Sequence, residues 1–134
     1  MHRQIARLVI GLLLFAACVL ASDIDGIWVG QQPGRRGEPE DLAFRFKLNG
    51  QSLTGTMFGD EFDLPISEGF FSGDQIRFTV TTNNYYNGTK TRFIYTGAIK
   101  GLVLELVRER VQTAEDKAAN RNSPRQELKL RRIN

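Results

Sequence analysis

Histidine and cysteine, the side chains most often used as general base, thiol nucleophile or metal ligand, are nearly absent from this sequence, which narrows the available chemistry. There is one histidine, His2, and one cysteine, Cys18. Both lie within the first 21 residues. A processed chain starting at Ser22 has neither, which excludes a thiol nucleophile, a histidine general base and His/Cys metal centres. Carboxylates, Lys, Tyr and Ser remain. Asp60, Glu61 and Asp63 form an acidic cluster with Asp41 expected nearby. Paired carboxylates can hydrolyse glycosides when a cleft sets their separation, and this cluster has no spacing that sets one. A calcium loop needs more oxygen ligands at defined spacing. No catalytic residue, metal site or cofactor is expected.

Side chains suited to binding are easier to find. Arg35, Arg36, Asn83, Tyr85, Tyr86, Asn87 and Arg121 all fall in polar connections. Arginine captures carboxylate or sulfate groups through paired N–H donors, and Tyr and Asn are adaptable contact residues. These seven are the candidate ligand-binding residues. An ordinary polar loop has the same composition.

The N-terminus reads as an export signal. Residues 1–21 comprise a positive start (Arg3, Arg7), an apolar run from Leu8 to Leu20, and Val19-Leu20-Ala21 before Ser22. The run is shorter than the roughly 20 residues that span a bilayer. Residues 22–134 then form a single domain, secreted or periplasmic, with no transmembrane segment in the mature form. Phe15-Ala16-Ala17-Cys18 also loosely resembles a lipidation site, with Phe in place of the usual Leu, so a lipid anchor through Cys18 is the alternative. The formal net charge of +3 falls when Arg3 and Arg7 leave, with 16 basic residues then facing 15 acidic ones. Near-neutral charge and export together argue against nucleic acid as a partner.

Period-2 alternation dominates the rest. Leu42, Phe44, Phe46 and Leu48 alternate with polar or small residues, as do Ile76, Phe78 and Val80, and Leu102, Leu104 and Leu106. Such runs bury one face of an antiparallel strand. Eight strands are predicted, near 24–30, 41–48, 51–58, 61–71, 75–82, 90–99, 102–110 and 126–133. The fourth is expected to bend around Pro65 and Glu68-Gly69. A short exposed helical turn is expected within 113–120. The connections at Asn49-Gly50, Gly73 and Gly101 are tight, whereas 31–40, 83–89 and 112–125 are long. In a meander, alternate connections lie at opposite ends. The long loops therefore share one end, as in an all-β, eight-stranded antiparallel up-and-down β-barrel with a tight base and an open mouth. A β-sandwich is the alternative. The aromatic residues Phe44, Phe46, Phe62, Phe70, Phe78, Phe93 and Tyr95 are expected inside, as filling core in preference to cavity lining.

Gly26-Ile27-Trp28 on the first strand and Leu128-Lys129-Leu130-Arg131-Arg132 on the last resemble the calycin superfamily of lipocalins and avidins. The runs Phe44-Arg45-Phe46, Leu53-Thr54-Gly55-Thr56, Gly69-Phe70, Phe78-Thr79-Val80 and Tyr95-Thr96-Gly97 add an avidin-like order. The resemblance implies a closed end where an arginine of the last strand, Arg131 or Arg132, covers the Trp28 ring, giving Gly26, Trp28 and that arginine structural roles. Biotin binding is not implied. Gly30 and Met57 stand where avidins have ligand contacts, and Trp28 is the only tryptophan.

Three functional readings follow. The first is an exported non-enzymatic protein binding a small or extended ligand at the mouth of the barrel. The second is an envelope or protein–protein interaction module using an outer sheet face, where Ile27, Val29, Ile94, Val103 and Val107 would point, with another envelope protein as partner. The third is a carboxylate-based hydrolase.

Overall fold

The structure, a computed structural model, describes residues 24–34, 36–60, 62–120 and 125–133. The expected export signal, Cys18, Arg35, Glu61 and Arg121 lie outside the described residues. Alternating burial produces eight strands: β1 (Gly26–Pro33), β2 (Pro39–Asn49), β3 (Ser52–Phe58), β4 (Asp63–Ser72), β5 (Gln75–Asn83), β6 (Lys90–Lys100), β7 (Val103–Arg110) and β8 (Arg125–Ile133). Each pairs antiparallel with its sequence neighbours. β1 pairs with β8 through Ile27↔Ile133 to Gly30↔Leu130, closing an up-and-down barrel. Closure removes the unpaired strand edges that would otherwise template aggregation.

The tight turns at Gly50, Gly73 and Gly101 lie at one end, and the longer connections at the other. The first connection is shorter than its composition suggests. Gln31↔Asp41, Gln32↔Glu40 and Pro33↔Pro39 continue the β1–β2 ladder into the segment expected as loop. Two side-chain bonds, Gln31 to Asp41 at 3.1 Å and Gln32 to Glu40 at 3.2 Å, tie this extension together. In the β7–β8 connection, α1 (Ala114–Ala118) begins with a capping box in which Thr113 and Asp116 exchange backbone and side-chain bonds. The turn is exposed as expected except for Asp116, which is buried and also meets Arg110 at 3.5 Å.

β4 is bent as expected. The register shifts between Ser67 and Phe70, and Glu68 adopts φ 53°. The consequence is a correction to the interior set: Phe70 is 43% exposed, and Phe71 is buried in its place. One extra residue in a strand reverses which face the next side chain takes. On β3 a matching irregularity falls at Gly55, whose φ is +151° and whose absent Cβ would lie 1.8 Å from the Arg45 carbonyl oxygen.

The lower barrel is filled by buried side chains. Phe44, Phe46, Phe78 and Tyr95 form an aromatic plug, with Phe78 stacked on Tyr95 at 4.8 Å and edge-on to Phe44 at 5.1 Å. At the closed end the Trp28 indole N–H donates to the Ile24 carbonyl at 3.0 Å. The Arg132 guanidinium lies 5.1 Å from the ring centroid of Trp28, a cation–π contact that selects Arg132 over Arg131. Arg131 faces outward, paired with Val29 and Val103.

Candidate functional site

Above the plug the barrel opens. A cavity of about 350 Å³ is lined by Phe62, Leu64, Phe93, Tyr95 and polar groups from the surrounding strands. Its floor is Tyr95, 1% exposed, whose hydroxyl donates to the Met57 sulfur at 3.6 Å.

The polar groups arise from a local rule. Inward positions recur every second residue. On β7 the inward series Leu104, Leu106 continues to Arg108. On β8, Leu130 and Leu128 lead to Gln126. On β2, Phe46, Phe44 and Leu42 lead to Glu40. On β1, Trp28 and Gly30 lead to Gln32. Four adjacent strands thus switch from apolar to polar at the same level, under the long loops. None of these four residues stands out in the sequence, where polar loops are the more obvious candidates. The available signal was polarity continuing the inward parity of an apolar face.

Arg108 organises the group. Its Nε donates to Gln126 Oε1 at 2.7 Å and its Nη1 to Gln32 Oε1 at 2.6 Å. Nη2 donates to Gln126 Oε1 and to the Pro33 carbonyl. The guanidinium stands 5.1 Å over the Phe93 ring. Gln32, 6% exposed, donates through Nε2 to Glu40 Oε1 at 3.2 Å. Among the described residues neither Arg108 nor Glu40 has an ion-pair partner. The arginine charge is therefore held by neutral carbonyls and a ring face.

Burial pushes the Tyr95 hydroxyl above its ordinary value of 10.0, while Arg108 beside it pulls the other way. A phenol raised by desolvation stays neutral in the fold and ionises first in the unfolded chain. Its contribution to stability is whole below pH 10.0 and is lost as pH rises through the raised folded value. Tyr95→Phe is expected to flatten the alkaline decline. Urea denaturation of both proteins near neutrality and at about pH 11 checks this, and equal slopes would contradict it.

Of the loop candidates, Asn83 lines the cavity. Tyr85 and Tyr86 stand at the loop tip, 95% and 92% exposed, ring against ring at 6.0 Å. The Asn87 side chain accepts from the Thr89 N–H at 2.9 Å and so serves the turn. Asn84 does the same for Tyr86 N–H. Arg36 is exposed. None of Arg36, Tyr85, Tyr86 and Asn87 lines the cavity.

The acidic residues sit elsewhere. Asp41 and Asp60 border a groove on the outer face with Val29, Ala43 and Phe58, and Asp63 is exposed. Among the described residues no three His, Cys, Asp or Glu side chains group to hold a metal ion. Ile27, Val29, Ile94, Val103 and Val107 are each half-buried, and Arg131 separates Val29 from Val103.

The fold and site define a closed eight-stranded antiparallel up-and-down β-barrel with a polar-rimmed cavity at one end. Comparison with protein-family models and with curated proteins gives no match. Among the described residues no helix is long and apolar enough to cross a membrane.

Proposed function

We propose that this is an exported, calycin-like, non-enzymatic binding protein that takes a small ligand in the mouth cavity. One observation carries the reading: a cavity of about 350 Å³ at one end of the barrel, with an apolar wall and an arginine whose partners among the described residues are neutral. Ligand sites commonly have about 300–1,000 Å³ of mainly apolar lining and a few fixed polar groups. The cation–π contact of Arg132 with Trp28 supports the calycin-like architecture, and residues 1–21 support export. Fold alone does not assign a ligand, so the weight rests on the site. An outer-face interaction role has less support, because Arg131 interrupts the apolar row.

Native mass spectrometry of the protein purified after expression from its full chain tests the reading. The expected result is a retained small molecule that is lost from Thr82→Trp, which fills the mouth. Retention unchanged in that variant, or no retained compound together with no binder in a fragment screen, would overturn it.

A further inference from the structure

The mouth holds two opposite charges that do not meet. Arg108 and Glu40 line the same cavity, and the Gln32 side chain stands between them. Its amide oxygen accepts from Arg108 at 2.6 Å, and its amide N–H donates to Glu40 at 3.2 Å. Arg108 on β7 and Glu40 on β2 are separated by β8 and β1, and the Gln32 side chain of β1 bonds to both. Here a buried amide keeps them one group apart, and each still faces the cavity.

Gln32 also indicates what fits. It presents an acceptor to the cation and a donor to the anion at the spacing of one small group. An ammonium and a carboxylate borne on a single carbon present the same pair, with full charges. Hydrogen bonds between charged partners are roughly twice as strong as neutral ones. Phe62, Leu64 and Phe93 supply an apolar wall beside the charged pair. A simple anion would be attracted by Arg108 and repelled by Glu40, and a simple cation would meet the reverse.

We infer that the mouth binds a small zwitterion of the α-amino-acid type with an apolar side chain, its carboxylate on Arg108 and its ammonium on Glu40. This rests on the mouth-binding reading above. Arg108 and Glu40 are then the specificity-determining residues, and Gln32 is the spacer that keeps them from neutralising each other.

Calorimetry and amide chemical shifts with three probes test it: L-phenylalanine, 3-phenylpropanoate, which lacks the ammonium, and phenethylamine, which lacks the carboxylate. The zwitterion is expected to bind about tenfold or more tightly than either single-charge analogue. Arg108→Gln should reduce binding of phenylalanine and phenylpropanoate, and Glu40→Gln should reduce phenylalanine but not phenylpropanoate. Shifts should centre on Thr82, Phe93 and Arg108. Phenylpropanoate binding as tightly as phenylalanine, with Glu40→Gln neutral for both, would overturn the zwitterion and leave mouth binding standing. So would a retained native ligand, lost from Thr82→Trp, that carries a single charge. No shift from any probe at about 10 mM would also overturn it, and the retention experiment then decides separately whether the mouth binds anything.

Discussion

Phe78→Ala is expected to lower unfolding stability by about 3–5 kcal/mol, the usual cost of deleting a buried aromatic side chain. Phe78 is fully buried and touches three other rings: Phe44 at 5.1 Å, Phe46 at 5.3 Å and Tyr95 at 4.8 Å. Its removal loses transfer free energy and leaves a void that the surrounding ladder cannot collapse, because the strands around it form a closed ring. Aromatic pairs add about 0.5–1.5 kcal/mol each beyond burial. Against a typical domain stability of about 5–15 kcal/mol this is a large fraction. Phe78→Leu keeps most of the volume and should lose much less. Urea denaturation of the three proteins measures it. A loss below about 1 kcal/mol for alanine would mean that the plug is not close-packed. Tyr95 rests on Phe78, so the same variant should loosen the cavity floor and weaken any ligand bound above it.

Gly97→Val is expected to be as damaging for a different reason. Gly97 lies on β6 beside Leu106 of β7. A Cβ there would stand 1.9 Å from the Glu105 carbonyl oxygen and 2.9 Å from Leu106 Cα. Both are backbone atoms, so relief requires the β6–β7 ladder to open. Overpacking typically costs about 1–3 kcal/mol, and a broken ladder adds unsatisfied backbone groups. The expected loss is about 3 kcal/mol or more, with reduced soluble yield. Ala98→Val adds similar bulk at the next residue, which faces outward, and should be nearly neutral. Equal stability of the two variants would refute the steric argument. Function should suffer with Gly97→Val as well, since β6 carries Tyr95 and β7 carries Arg108.

Much of this architecture is legible in the chain. Alternation at Phe44-Arg45-Phe46 or Leu104-Glu105-Leu106 is a local property of a strand with one wet face, and all eight strands fall near their expected positions. Loop lengths are equally local, and they predict which end is tight. The candidate site is less legible. Tyr85 and Asn87 look like binding residues by type, yet the turn consumes the Asn87 side chain and holds Tyr85 at the tip. Arg108, which organises the cavity, looks like any polar residue of a strand until its parity is followed past Leu106.

The all-β class, the strand count, the meander and the end at which the barrel opens are all written in the order of residues. They follow from period, turn chemistry and connection length, each set within a few residues of the chain. Other outcomes emerge only once the barrel has closed: Arg132 and not Arg131 covers Trp28, Phe71 and not Phe70 enters the core, and Gln32 lies between Arg108 and Glu40. Those outcomes depend on register and bulges, where a shift of one residue reverses the face of a side chain. They also depend on ring closure, which brings β1 beside β8 and so sets the side chains of residues 76 positions apart at 2.6 Å.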